Sequence, residues 1–300
     1  DGIRRHFAYP WDRVAEFNPA YGQYVEAERA RLGVDHPLFR TQYELKVITG
    51  ETGFFSPAHR AQLAGDQPRR AGPDESATYV AAIDVAGGAE DAGEAVATGA
   101  RERRQDSTVL LIGRLEWRAV DDRSDPETGS GREPIVAVEE VYWWTGVDLR
   151  TQYRQVVDLC RNVWHVQRLA VDATGLGRAL ADFLVAAFPP GTVVPVVFTA
   201  ASKSELGYSL LAAVAGGRIK WYAHADDDVE AGEFWQEVRE CRYEVRPNRL
   251  MRWSVPESRG HDDFLAALAL LPVAASDAPP PAAATLIAAR DPYAAAGRYG

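Results

Sequence analysis

Three apolar runs in succession, with no helical pattern between them, constrain this chain more than any other feature. Residues 78–88 read TYVAAIDVAGG, residues 106–117 DSTVLLIGRLEW and residues 134–145 PIVAVEEVYWWT. Each is short and rich in β-branched or aromatic residues, the composition of a strand. Loops of ~18 residues separate them, long enough by connection statistics to carry function or disorder. Downstream the pattern alternates. A helix is predicted from about Asp148 to His165, then a strand QRLAVD ending in Asp172, then ATGLG and a helix to Phe188. Next come a strand TVVPVVF, a helix SKSELGYSLLAAVAGG, a short strand RIKWY, a helix near Val229 to Cys241, a hairpin YEVRPNRLMRW and a closing helix. Consecutive strands followed by alternating helix and strand predict an α/β fold, a mixed sheet sandwiched by helices.

The first third has a different texture. Asn18 as a cap and Gly33 as a stop bracket a predicted helix from Pro19 to Leu32. HPLFRTQYELKVI then reads as extended and GFFSP as a turn. Residues 65–76, GDQPRRAGPDES, are polar and rich in Pro and Gly and read as an internal linker. Beyond Pro272 the Ala/Pro-rich tail has little to bury and is expected to be flexible.

Composition narrows the classes. The chain has 300 residues, 46% hydrophobic and 25% charged, enough for a sizeable core, and no apolar run long enough to span a membrane. Its charged opening lacks the apolar region of a signal peptide. Cys160 and Cys241 lie in separate predicted helices without metal-site spacing and read as buried thiols of a reducing compartment. A net charge of −10 argues against a protein that coats nucleic acid non-specifically. The positive charge is nevertheless uneven: Arg101, Arg103 and Arg104 cluster in one loop, and Arg239, Arg242, Arg246, Arg249, Arg252 and Arg259 follow one another ahead of the pair Asp262 and Asp263. A solvated face paired to Glu237 and Glu240 is the alternative for each of these arginines.

In open α/β sheets, ligands bind outside the carboxyl ends of strands, and Asp84 and Asp172 are the last residues of predicted strands. Asp262 and Asp263 open the closing helix, in the stretch RGHDDFLAALAL. One Asp there is explained by helix capping. Two adjacent ones call for a polar surface or a ligand. If Asp84, Asp172 and this pair converge, three or four carboxylates share one pocket, a donor set suited to Mg²⁺ or Mn²⁺. Two such ions can activate water and stabilise the leaving oxygen of a phosphodiester.

These pieces together resemble the C-terminal nuclease domain of the large terminase subunit of tailed bacteriophages, which has an RNase H-like fold. AAIDVAGG followed by DSTVLLIG matches its first hairpin, LAVDATGLG its second acidic strand, SKSELGYSLLAAVAGGRIKW a later helix and strand, and GHDDFLAALAL its closing helix. The resemblance implies a division into residues 1–66, similar to the connection between ATPase and nuclease; 67–77, a linker; 78–272, the nuclease domain; and 273–300, a tail. It implies that Asp84, Asp172 and Asp263 are metal-binding catalytic carboxylates. Asp262 would be an auxiliary ligand and His261 a polar neighbour that assists phosphate or water positioning. Asp106 matches an acidic position of the second strand. Lys203 matches a recurring basic position facing DNA or phosphate, or is a surface lysine at a helix start.

The implied activity is metal-dependent cleavage of double-stranded DNA by a two-metal mechanism with low sequence specificity, during genome packaging in the bacterial host cytoplasm. The implied partners are a packaging ATPase domain or chain, the portal and the small terminase subunit. No Gly-x-x-x-x-Gly-Lys-Ser/Thr phosphate loop occurs in the sequence, so no motor activity is expected of this chain alone; a fragment, a split gene product or a prophage remnant would fit. Arg242, Arg246, Arg249 and Arg252, on the predicted hairpin, are candidates for DNA backbone contacts. Trp143, Trp144, Trp221 and Trp253 are better read as core than as base-stacking platforms. The competing readings are an actin-like or sugar-kinase phosphotransferase of related fold, a Holliday-junction resolvase and a non-catalytic DNA-gripping module.

Overall fold

The three leading apolar runs form an antiparallel meander at the centre of a seven-stranded mixed sheet. The structure, a computed structural model, describes residues 9–34, 36–45, 52–86, 107–120, 131–246 and 248–276. In chain order the described elements are α1 (Trp11–Ala15), α2 (Pro19–Leu32), α3 (Pro37–Gln42), β1 (Thr52–Gly53), α4 (Pro57–Leu63), β2 (Ala64–Pro68), β3 (Thr78–Asp84), β4 (Ser107–Val120) and β5 (Gly131–Thr145). There follow α5 (Leu149–Val157), which continues as a π-helical turn (Asp158–Val163), β6 (Arg168–Asp172), α6 (Gly177–Ala187), β7 (Val193–Val196) and α7 (Ala200–Ala215). The last are β8 (Ile219–Ala223), α8 (Val229–Glu240), β9 (Arg242–Val245), β10 (Met251–Ser254) and α9 (Asp263–Ala275).

The large sheet runs β2-β8-β5-β4-β3-β6-β7, with β3–β4 and β4–β5 antiparallel and the other neighbours parallel. Its two faces bury separate cores. Helices α7, α8 and α9 cover one face, with Leu210, Phe234, Phe264 and Leu268 inside. The α5 segment and α6 cover the other, with Val156, Trp164, Leu180 and Leu184 inside. Helix α9 is apolar on all sides and lies centrally, Phe264 to Leu271 being buried without a break, as expected of a helix with no solvent face. It runs through Pro272, the expected domain end, to Ala275. Residues 277–300 of the expected tail lie outside the described residues.

Two expectations for the first third are corrected. The stretch read as extended contains α3, in which Arg40 N–H and Tyr43 N–H donate to the His36 and Phe39 carbonyls. The fully buried Phe39 anchors the helix near Ala212 of α7. The stretch read as a linker begins with β2, which pairs parallel with β8. Polar, Pro-rich composition hid this strand because its anchoring is ionic rather than apolar. A β-bulge in β5 makes it possible: Glu140 lies opposite Ile112 and Val138 opposite Gly113, leaving Glu139 as the extra residue. Both glutamates are thereby buried. Arg69 Nε donates to Glu140 at 2.6 Å, and Arg114 Nε to Glu139 at 2.6 Å. Arg70 N–H donates to the Glu139 carbonyl. Strand β1 also joins β9 and β10 in a small second sheet. Pairing therefore crosses the boundaries expected at residues 66 and 77.

Candidate active site

Strand periodicity decides which side chains reach which face. Along β3, Val80 and Ala82 enter the core under α7–α9, while Tyr79, Ala81 and Ile83 enter the opposite one. Asp84 continues the first series. Along β6, Ala170 lies on the α7–α9 side and Leu169 and Val171 on the other, so Asp172 follows Ala170. The strands are parallel neighbours with Ile83 opposite Val171. Asp84 and Asp172 thus end adjacent strands at one register, on strands ~4.8 Å apart, and face the same side.

Helix α9 crosses beneath β3, β4 and β6 on that side and brings its first turn to the same end. Asp263 Oδ2 accepts from the Ser107 N–H at 3.1 Å, at the start of β4. Asp262 Oδ2 accepts from Lys203 Nζ at 3.1 Å. The Lys203 ammonium also lies 4.9 Å from the centre of the Trp253 ring, whose Nε1–H donates to the Lys203 carbonyl at 2.8 Å. Gly207 permits this packing, since a Cβ there would come within 2.6 Å of the Trp253 ring. Beyond Asp172 the ATGLG loop is pinned: Thr174 N–H donates to Asp172 Oδ1 at 2.9 Å, and Phe198 N–H to Thr174 Oγ1 at 2.7 Å. Gly177 is required where α6 starts, because a Cβ would sit 2.3 Å from the Asp172 carbonyl oxygen.

The electrostatics follow from this crowding. Burial pushes the Asp84 carboxyl well above the ordinary carboxylate range, and the charges of Asp263, Asp172 and Asp262 push it further, against the pull of Lys203. Asp172 is raised by burial, in part offset by hydrogen bonds from Thr174 and Asp84 and by Lys203. For Lys203, burial works against the charge, but Asp262 and Asp84 outweigh it and raise its pKa. Asp84, Asp172 and Asp262 feel the charge of Lys203, and Asp263 adds a further negative charge at Asp84. An all-oxygen, electron-rich set of this kind fits a hard divalent cation in its chemistry. Among the described residues, no group of three or more His, Cys, Asp or Glu side chains is drawn into ligating geometry.

Asp262 does not cap α9. It occupies the N-cap position without a side-chain cap bond. The cap comes from Glu237 of α8, which is 2% exposed and accepts from Phe264 N–H at 3.3 Å and Leu265 N–H at 2.9 Å. Burial raises the Glu237 pKa well above its ordinary value, opposed by the bond from Leu265 and reinforced by Asp263 and Asp262. The solvated face on which Glu237 would pair with arginines is thereby corrected: the residue is buried and bonds α9, and the sequence signal for this is that it interrupts the apolar face made by Phe234, Val238 and Cys241.

His261 is half-buried immediately before the pair. Asp106 and the cluster Arg101, Arg103 and Arg104 lie outside the described residues. A cleft of about 560 Å³ extends from the acidic end of the sheet to the β9–β10 hairpin, and Asp172, Thr174, Lys203, Arg246, Arg252 and Trp253 line it. Arg246 and Arg252 are exposed there. Arg249 is exposed at the hairpin turn, with a positive φ of 65°. Arg242 is engaged elsewhere, donating to the Arg239 and Cys241 carbonyls that end α8. Trp221 and Trp253 are buried in the core, and Trp143 and Trp144 pack partly buried against it.

No family model and no curated protein matches the chain. Among solved structures, it is similar to the large terminase nuclease from thermophilic phage G20c with bound magnesium, at TM-score 0.50 and 18% identity, over 77% of this chain and 99% of that one. It is also similar to the large terminase from another thermophilic bacteriophage in complex with ADP, at TM-score 0.51 and 12% identity, over 89% of this chain and 55% of that one. The chain thus spans about half the length of that ADP-bound terminase. Its fold is the RNase H-like α/β fold of terminase nuclease domains, a mixed seven-stranded sheet with helices on both faces.

Proposed function

We propose that the chain is a nuclease that cuts double-stranded DNA with little sequence preference, as part of a phage genome-packaging machine. The observation that carries this reading is the meeting of Asp84 and Asp172, on adjacent strand ends, with Asp262 and Asp263 at the first turn of α9. Asp84, Asp172 and Asp263 are the residues that would hold divalent cations, Mg²⁺ or Mn²⁺, with Asp262 auxiliary; the surplus of carboxylates suits two ions. Held there, such ions supply positive charge against the scissile phosphate and make water acidic enough to ionise near neutral pH.

The chain's own residues do the rest. Strand ends and a buried helix carry the carboxylates, so their positions are set by the core rather than by loops. Arg246 and Arg252 lie on the cleft wall that also holds Asp172, and their guanidinium groups bind backbone phosphate oxygens. Lys203 holds Asp262 and adds a third cationic side chain, at the acidic end of that cleft. His261 orients phosphate or water beside the pair.

The nuclease unit takes in α4 and β2 as well as residues 78–272, because β2 is part of the sheet. The partners implied are a packaging ATPase, as a domain or a separate chain, a portal and a small terminase subunit. The place implied is the host cytoplasm. Among the described residues no helix is long and apolar enough to cross a membrane.

The test is to incubate supercoiled plasmid with the protein in Mn²⁺, Mg²⁺ or EDTA, beside Asp84→Ala and Asp263→Ala. Nicking in metal, lost in EDTA and in both variants, is the expected result. Equal nicking by the variants, or none by the parent in either metal, overturns the reading.

A further inference from the structure

Two neighbouring residues of α8 bond the chain where α9 begins. Gln236 Nε2 donates to the Arg259 carbonyl at 3.0 Å, holding the loop that approaches the helix. Glu237 then accepts from two N–H groups of the first turn, those of Phe264 and Leu265. These are the donors that an N-cap side chain ordinarily satisfies. Asp262 occupies the N-cap position, with φ −117° and ψ 23°, and its carbonyl accepts the first helical bond from Ala266 N–H. Were its carboxylate to cap the helix, it would fold back over the backbone. Instead it reaches Lys203, and the Asp263 carboxylate reaches Ser107.

We propose that Glu237 is a positioning residue for the candidate active site: by capping α9 from a neighbouring helix, it lets the carboxylates of Asp262 and Asp263 turn toward the site as ligands instead of toward the helix backbone. The role rests on the reading of these aspartates as cation ligands. Phe234 and Val238, both buried, seat α8 in the core, and Glu237 between them is itself 2% exposed, so the cap is confined where a surface carboxylate would not be. Partners hydrogen-bonded to the ligands themselves typically set metal affinity by 10–100-fold; Glu237 acts through the backbone, one step further out, and the low end of that range is expected.

The full chain with Glu237→Gln tests this. The substitution keeps the side-chain volume and one acceptor but turns an N–H group toward one of the two donors. Mn²⁺ binding is measured by calorimetry, and exchange of the Phe264 and Leu265 amides by NMR without metal. The expected result is unchanged far-UV circular dichroism, about tenfold weaker Mn²⁺ binding and faster exchange at both amides. In an Asp262→Asn background the same substitution weakens binding by a smaller factor, since one of the two carboxylates it positions is gone. Parent-like Mn²⁺ affinity in Glu237→Gln, or an equal factor in both backgrounds, overturns the positioning role and leaves the nuclease reading standing. A parent protein that takes up no Mn²⁺ overturns both. If Glu237→Gln does not fold, Glu237→Asp replaces it, its shorter side chain withdrawing the acceptors from the Phe264 and Leu265 N–H groups: weaker Mn²⁺ affinity with faster exchange at both amides supports the positioning role, and parent-like affinity with faster exchange overturns it.

Discussion

Asp84 and Asp172 close neighbouring parallel strands at the same register and face the same side of the sheet, so neither can lose its water without meeting the other's charge. Substituting one of them should therefore have opposite effects on stability and activity. Asp84→Asn is expected to abolish nicking while raising metal-free stability by about 1 kcal/mol, the usual scale of a point substitution, or a few degrees in Tm. The pH dependence follows in sign. The folded-state pKa of Asp84 lies above its unfolded value, so the folded chain holds more protons across that interval and stability is lost as pH rises through the folded value. Thermal melts in EDTA should show this loss in the parent and less of it in Asp84→Asn. A variant that melts lower than the parent at neutral pH would contradict the like-charge account.

What could be read from the sequence, and what could not, divides along physical lines. The placement of Asp84, Asp172 and Asp263 at the ends of elements was legible because each sits where an apolar run starts or stops, and such runs are set by strand and helix periodicity. The central meander was legible for the same reason. Strand β2 was not: its residues alternate between exposed and partly buried, and its attachment depends on Arg69 and Arg70 meeting two glutamates far along the chain. The bulge that buries Glu139 and Glu140 has no local signature in VAVEEVYW. The Glu237 cap is likewise a contact between helices, which periodicity marks only as a charge on an apolar face.

That ionic anchor gives a second prediction. Arg69 Nε bonds Glu140 at 2.6 Å, and its Nη1 lies 3.3 Å from both Asp228 and Glu230, with 30% of the side chain exposed. Its removal leaves Glu140 buried without its ion-pair partner. Breaking a fully buried pair costs ~3–5 kcal/mol; partial exposure reduces the expectation for Arg69→Met to about 2 kcal/mol. Urea unfolding checks this. Limited proteolysis should also leave a protected core beginning upstream of Ala64. A stable core starting at Thr78 would show that β2 is dispensable.

The hairpin arginines separate by what they touch. Arg246 and Arg252 line the cleft, whereas Arg242 closes the end of α8. In an Asp84→Asn background, where DNA stays intact, Arg246→Ala and Arg252→Ala should each weaken duplex binding and lower the slope of log K against log salt by about 0.9, one phosphate contact each. Arg242→Ala should leave that slope unchanged and cost about 1 kcal/mol of stability through the lost carbonyl bonds. Fluorescence anisotropy across a salt series distinguishes them. Equal slopes for all four proteins would remove the hairpin from the DNA path.

His36 supplies a pH dependence of the opposite sign to Asp84. It is 1% exposed, and its Nε2 lies 3.0 Å from the Tyr208 carbonyl of α7, to which the neutral ring donates. Burial lowers its pKa from 6.5 to about 4, against the raising effect of that bond. Between those values the unfolded chain binds the proton and the folded chain does not. The stability from the neutral ring is therefore present in full above pH 6.5 and is lost as pH falls toward 4. At ~1.4 kcal/mol per pH unit, the gap is worth about 3 kcal/mol. The seam it guards joins α3 to α7, and Tyr208 itself reaches the hairpin through its hydroxyl bond to the Arg249 carbonyl at 3.3 Å. Urea unfolding at about pH 7 and about pH 5, on either side of the ordinary imidazole value, for the parent and for His36→Phe, reads the effect as a difference between two conditions, so the variant's own basal cost cancels. The parent should lose more stability than the variant on acidification. Equal losses would place the acid sensitivity in groups other than this imidazole.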